Sequence, residues 1–189
     1  APSKEWKRRR FGMPWYRGDT ISVGIGQGYN LVTPLQLAVA TAALANGHAL
    51  VQPVLSRSGI HPPSMSILDG PPLTPSQPLM LSKKHIRVLQ KAMEDVMKPG
   101  GTAAGAGRGA AYPIAGKTGT AQVFSLRGAE YDEESLAKKL QDHALFIGYA
   151  PAHQPTIALA VVVENGGGGG SVAAPIARKV FDAYFDARP

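Results

Sequence analysis

The tetrad Lys117-Thr118-Gly119-Thr120, within the stretch AYPIAGKTGTAQVF at residues 111 to 124, places a cation, two hydroxyls and a bare glycine side by side. Two chemistries fit those letters. Preceded by Gly116, they spell the Gly-Lys-Thr that closes a phosphate-cradling loop, where amides at the start of a helix hold the phosphates. That loop also requires a glycine with four residues between it and the Gly-Lys-Thr, and Ala111 stands there instead. It requires a helix beginning at the lysine, yet Gly119 follows at once and then the β-prone run Thr120 to Phe124. The phosphate reading fails on both counts.

The second chemistry needs the tetrad extended at the rim of a cleft. An edge strand offers unpaired amides and carbonyls that an extended peptide joins by β-addition. Lys117 would supply a cation beside an attacking residue and a substrate carboxylate, and Thr118 and Thr120 would donate hydroxyls to that carboxylate. Gly119 would let the substrate backbone come close. The amide of Thr120 would form half of an oxyanion hole. Strand alternation sets Gln122 on the face of Thr118 and Thr120. Lys-Thr-Gly alone also fits an ordinary edge strand, so the surrounding elements have to decide.

Those elements are legible in outline. Thr33, Pro34 and Gln36 form a capping box with proline at the first helical position, and Gly47 ends the helix. Its body is apolar all round, which predicts burial. A second helix is expected over 82 to 97, with Ile86, Leu89, Met93 and Val96 on one face. The proline-rich stretch between them supports no more than a short strand at 50 to 56. From residue 115 the pattern turns to strands, with GTAQVFS, HALFIGYAP and TIALAVVVEN in succession and a hairpin turn at APAHQP. GGGGGS reads as a mobile turn before a last helix, on which Ile176, Val180 and Tyr184, with Ala177 and Phe181, make an apolar stripe. Upstream, the glycines of RGDTISVGIGQGYN read as a structural turn, since Tyr29 stands where a dinucleotide fingerprint needs its third glycine. The fold class that follows is α+β, an antiparallel sheet flanked by helices.

Composition narrows the function. The chain has 189 residues, 44% hydrophobic and 17% charged, as expected of a globular unit. It begins at Ala1 rather than Met, and a processed form or a fragment is expected. Cysteine is absent, and the five histidines, His48, His61, His85, His143 and His153, lack metal-ligand spacing, so neither metal nor cofactor is expected. The formal charge of +7 is concentrated at the start, where Lys4, Lys7, Arg8, Arg9, Arg10 and Arg17 face only Glu5. Interleaved with Trp6, Phe11, Trp15 and Tyr16, this run is either an anion-binding patch or a solvated face anchored by its aromatics. One short run is a small footprint for nucleic acid, and no nucleic-acid partner is expected.

GDTISVGIGQGYNLVTPLQLAVATAALANG, AGKTGTAQVF, DHALFIGYAP and VVVENGGGG occur in one order, and together they closely resemble the C-terminal half of the transpeptidase domain of class B penicillin-binding proteins. The opening KEWKRRRFGMPWYRGDT looks most like the members that serve rod-shaped cell-wall elongation. The resemblance covers essentially all of residues 1 to 189 and implies a penicillin-binding protein/serine β-lactamase-like fold, here incomplete. It implies a serine acyl-enzyme mechanism acting on peptidoglycan stem peptides that end in D-Ala-D-Ala, and trapping by β-lactams. It also implies membrane-protein partners of the elongation complex and a place on the periplasmic face of the bacterial inner membrane, with the anchor outside this chain.

Of the family's three motifs, Ser-x-x-Lys, Ser-x-Asn and Lys-Thr-Gly, only the last is matched, at Lys117, Thr118 and Gly119. Ser135-Leu136-Ala137-Lys138 follows Lys-Thr-Gly instead of preceding it and lies in a charged insert, so it reads as coincidence, and no Ser-x-Asn occurs. No nucleophile is therefore assigned within these residues, and the chain alone is expected to be inactive. Two other readings stay open. A serine β-lactamase or D,D-carboxypeptidase shares Lys-Thr-Gly but passes the acyl group to water. A non-enzymatic module would use the basic run to bind anions.

Overall fold

The computed structural model describes residues 2–47, 49–51, 53, 77–78, 81–122 and 141–187. Six helices and five strands occur among them: α1 (Lys4–Phe11), α2 (Arg17–Gly24), α3 (Pro34–Asn46), β1 (Ala49–Leu50), β2 (Gln77–Pro78), α4 (Lys83–Val96), α5 (Ala104–Gly107), β3 (Ala115–Ala121), β4 (His143–Ala150), β5 (Ile157–Val163) and α6 (Ala174–Asp186). A π-helical turn, Gly169–Ala173, leads into α6. None of these helices is long and apolar enough to cross a membrane.

The core is an antiparallel sheet in the order β3-β4-β5. Register follows from packing. Lys117 pairs with Ile147, Thr118 with Phe146 and Thr120 with Ala144, while Phe146 pairs with Val161. Paired residues share a face. Thr118 and Thr120 therefore lie on the side of Ala144, Phe146 and Ala150, which packs with Ala173, Ala174, Ala177 and Phe181. Lys117 and Gly119 lie on the other side with Ala115 and Tyr149, which packs with Ala45 and Met93 of α3 and α4. Two glycines make the centre of the sheet possible. A Cβ on Gly116 would sit 2.2 Å from Phe146 Cζ, and one on Gly148 2.7 Å from Phe146 Cε1, so the ring lies across both backbones.

The α+β architecture and the helices at 33–47 and 82–97 are as expected, with the predicted N-cap formed where Thr33 Oγ1 accepts from Gln36 N; Ser82 Oγ likewise caps the second helix by accepting from His85 N. Five details differ. The expected glycine turn is confined to the residues around Gly26 and Gly28, and residues 17–24 ahead of it form α2, because Asp19 accepts from Tyr16 N at 2.7 Å and starts a helix that Gly18 does not prevent. In α3 only the second half is buried, at Thr41, Ala43 and Ala45, whereas Leu35 is exposed. On α4, Ile86 and Met93 are buried but Leu89 is 42% exposed, since Met93 and Met97 pack on the sheet and Ile86 lies against Gly47 at the end of α3. On α6 the buried line is Ala174, Ala177 and Phe181; Ile176 and Val180 face outward at 41% and 45% exposure. The glycine run at 166–170 is packed, not loose. A Cβ on Gly169 would lie 2.3 Å from Leu145 O and 2.5 Å from Gly119 O, and one on Gly170 2.2 Å from Thr102 O.

Of the expected strand at 50–56, Leu50 lies in β1 and pairs with Gln77; residues 52 and 54–56, like Val123 to Ser125 and Ser135 to Lys138, lie outside the described residues.

Candidate active site

The tetrad is extended. Lys117 to Thr120 all lie within β3, whose other side has no strand neighbour among the described residues. In an antiparallel pair, a residue directs its N–H and C=O to the same side, alternately toward and away from the partner. Two bonds show which way the tetrad points. Thr118 O accepts from Lys117 Nζ, and Thr120 O accepts from Gln27 Nε2 at 2.9 Å. The carbonyls of Thr118 and Thr120 thus face the open edge, and their amides face it with them. Thr120 N–H, expected from the sequence as half of an oxyanion hole, faces that edge.

The side chains divide between the two sheet faces. Lys117 and Thr120 are exposed, and Thr118 and Gly119 are half-buried. The Thr118 hydroxyl shares a hydrogen bond of 2.9 Å with the hydroxyl of Thr102, just ahead of α5. Gly119 has a reason internal to the sheet: a Cβ there would press on Leu145 Cβ at 3.3 Å. Gln122 is exposed immediately beyond the end of β3. The structure brings Lys117, Thr118, Gly119 and Thr120 to one edge, with Lys117 approaching from one face of the sheet and the two threonines from the other.

Two contributors were not foreseen. Thr102 sits in a small-residue stretch, TAAGAGRGAA, and only its position behind Thr118 reveals it. Gln27 is separated from Thr120 by 93 positions. Its signal was present in the letters Gly26-Gln27-Gly28. Both glycines have positive φ, at +79° and +69°, and Gln27 N donates to Ser22 O at 2.9 Å, so the turn holds a single amide side chain against β3.

The basic N-terminal run forms α1 and is anchored by its aromatics. Trp6, Phe11 and Tyr29 cluster with ring centroids 5.3 to 5.4 Å apart. Lys7 is buried, paired with Asp19, and its Nζ lies 4.5 Å from the centroid of Tyr16. The Asp19 carboxyl is held below the ordinary carboxylate range by Lys7 first and by Tyr16 N–H next. Lys7 is thus engaged inside the protein, while Arg8, Arg9 and Arg10 stay exposed. Two histidines have local roles: His143 Nδ1 accepts from Asn165 N at 2.9 Å, and His153 Nδ1 lies 3.7 Å from Glu94.

Residues 4–182 match the family model described as the penicillin binding protein transpeptidase domain. The chain belongs to this family. Within it, the similarity is to penicillin-binding protein 2. The Peptidoglycan D,D-transpeptidase MrdA of Haemophilus influenzae is 43% identical over 196 residues, covering 99% of this chain and 29% of that protein. MrdA of Escherichia coli K12 is 38% identical over 96% of the chain and 28% of its own length. Among solved structures, penicillin-binding protein 2 of Pseudomonas aeruginosa in complex with WCK 5153 aligns with a TM-score of 0.76 at 41% identity, over 97% of this chain and 36% of that one. The Helicobacter pylori penicillin-binding protein 2, solved in complex with MreC, aligns with a TM-score of 0.76 at 30% identity, over 100% of this chain and 31% of that one. The transpeptidase-domain chain thus spans about three-tenths of the length of the curated relatives it matches.

Proposed function

We propose that the chain is the C-terminal portion of the transpeptidase domain of a peptidoglycan D,D-transpeptidase and supplies its Lys-Thr-Gly substrate-binding strand. The observation that carries this reading is the open edge of β3, where the backbone of Thr118 and Thr120 faces outward with Lys117 beside it. Such an edge takes up a peptide in extended form.

The chemistry is a two-step acyl transfer. A serine from another part of the protein adds through Oγ to the penultimate D-Ala carbonyl. The bond to the last D-Ala breaks, and that residue leaves as an amine carrying the serine proton. An amine from a second stem peptide then adds to the ester; the serine oxygen departs, is reprotonated, and the cross-link remains. Lys117 and the hydroxyls of Thr118 and Thr120 hold the terminal carboxylate. Thr120 N–H meets the developing oxyanion, an interaction worth about 3 kcal/mol or roughly 100-fold in rate. Gly119 admits the peptide backbone, and Gln122 borders the far end of the strand. β-Lactams react at the same place and stop at the acyl-enzyme.

Several features support the view that these residues work as part of a larger unit. Relatives are over three times as long, Ser-x-x-Lys does not precede Lys-Thr-Gly, and apolar side chains such as Ile25 and Leu31 are 73% and 86% exposed. The intact protein would act at the periplasmic face of the inner membrane with elongation-complex membrane proteins, as the Helicobacter pylori relative's complex with MreC suggests.

A fluorescent penicillin tests the reading directly. The intact protein should be labelled in a gel, its Lys117→Ala variant labelled far more slowly, and residues 1 to 189 alone not at all. An unlabelled intact protein, or a labelled fragment, contradicts it.

A further inference from the structure

A strand edge waiting for a peptide has carbonyls to satisfy in the meantime. At β3 both outward carbonyls of the tetrad are bonded by the protein's own side chains, Thr118 O by Lys117 Nζ and Thr120 O by Gln27 Nε2. These two caps differ in kind. Lys117 belongs to the strand and has a role of its own toward the ligand. Gln27 comes from a separate loop, and that loop is built to deliver it. Gly26 and Gly28 flank it in the left-handed region, Gln27 N is tied to Ser22 O, Gly26 N to Val23 O at 3.1 Å, and Asn30 Nδ2 donates to Val23 O at 3.0 Å. Residues with a Cβ rarely adopt the conformation of those two glycines. The turn therefore presents one primary amide to one acceptor.

Thr120 O and Thr120 N–H face the same side. A peptide whose carbonyl oxygen meets that N–H lies within reach of that carbonyl, so its own amide N–H and the Gln27 side chain seek the same acceptor. We propose that Gln27 is a specificity-determining residue of the β3 edge. Its amide competes with the amide N–H of an incoming ligand for Thr120 O, and so sets how much the edge gains from ligands that carry such an N–H. The bond joins neutral groups and is exposed, so it yields readily; its net worth is that of an ordinary neutral hydrogen bond. This inference rests on the transpeptidase reading.

The experiment compares two probes on the intact protein. A penicillin carries an acylamino N–H beside its reactive carbonyl; a carbapenem has a hydroxyethyl group there. Second-order acylation rates are measured for wild type, Gln27→Met, which keeps the length and loses the donor, and Gln27→Asn, whose amide is too short to reach Thr120 O. Both variants should raise the penicillin rate relative to the carbapenem rate by about threefold to tenfold, the range of one neutral hydrogen bond. A loss of turn structure would instead shift both rates together. An unchanged ratio, or a parallel fall in both rates, overturns the inference and leaves the transpeptidase reading standing. Wild-type protein that neither probe acylates overturns both.

Discussion

The hydroxyls of Thr102 and Thr118 lie 2.9 Å apart, joining the segment between α4 and α5 to β3. The Thr118 hydroxyl has one proton to donate, and its bond to Thr102 fixes the rotamer from which it would reach a carboxylate. Gly170 closes the back of this pair, since a Cβ there would stand 2.2 Å from Thr102 O and 3.6 Å from Thr118 Cγ2.

Thr118→Val in the intact protein removes the donor at nearly constant volume and should slow acylation by about 10-fold to 100-fold, the cost of one hydrogen bond to a charged carboxylate. Thr102→Val leaves the donor and removes only its partner, so the loss should be several-fold. Acylation rates with a fluorescent penicillin check both. Equal losses in the two variants would mean that the pair acts through packing and not through the Thr118 hydroxyl.

The glycine run at 166–170 makes a second, sharper demand. At Gly169 a methyl group would overlap two backbone oxygens, Leu145 O and Gly119 O, neither of which can swing aside. Gly169→Ala should therefore destabilise the intact protein by about 1–3 kcal/mol, as overpacking of a filled site does. It should also displace β3 at Gly119 and slow acylation. Gly105→Ala is the control: a Cβ there meets nothing within 4 Å, and its melting temperature should be close to wild type. Thermal melts of the two variants decide the point.

What could be read in advance depended on how local each cause was. The α3 boundaries were legible because Thr33, Pro34, Gln36 and Gly47 act within a turn of their own backbone. The strand character of Lys117 to Thr120 followed from Gly119 and the β-prone residues beside it. The packed glycine run was misread because composition reports freedom of φ and ψ, not what lies against the chain. Gly169 is glycine because β3 and β4 pass beneath it. The α6 stripe holds at Ala177 and Phe181 and fails at Ile176 and Val180 for a related reason. Ile176 and Val180 are as apolar as Phe181, and which line is buried depends on where Phe146 and Ala150 stand. Gln27 and Thr102 were invisible as site residues because each acts on a residue remote in sequence, and neither forms a motif with its partner.

Tyr149 tests a different balance, between volume and polarity. Its ring is fully buried against Ala45, Met93 and Ala115, and its hydroxyl has no partner among the described residues. Burial first, and the Glu94 carboxylate next, push the phenol up to about 12. The hydroxyl thus stays neutral throughout the working range, and its desolvation goes uncompensated. Tyr149→Phe keeps the ring and removes the unsatisfied group, so it should leave stability unchanged or raise it by up to about 1 kcal/mol. Tyr149→Ala should cost about 3–5 kcal/mol through the cavity it leaves. Denaturant midpoints separate these outcomes, and a marked loss in the phenylalanine variant would reveal a partner for the hydroxyl in the intact protein.

The Lys7–Asp19 pair predicts how the N-terminal helices respond to acid. Lys7 is buried between Asp19 and the rings of Tyr16 and Tyr29, and the Asp19 carboxyl is held below its ordinary value of 3.8, chiefly by Lys7. The folded value is thus lower than the unfolded one, so the pair's contribution is complete above the ordinary carboxylate range. It is lost only as pH falls through the depressed folded value. Asp19→Asn removes the charge while leaving a side-chain oxygen for Tyr16 N–H, so Lys7 is left without a counter-ion. The melting temperature of Asp19→Asn should then lie below wild type by a constant margin from neutral pH down to about pH 5, and the two should converge below about pH 4. A margin that persists undiminished in acid would show that the loss in Asp19→Asn does not come from the carboxylate charge.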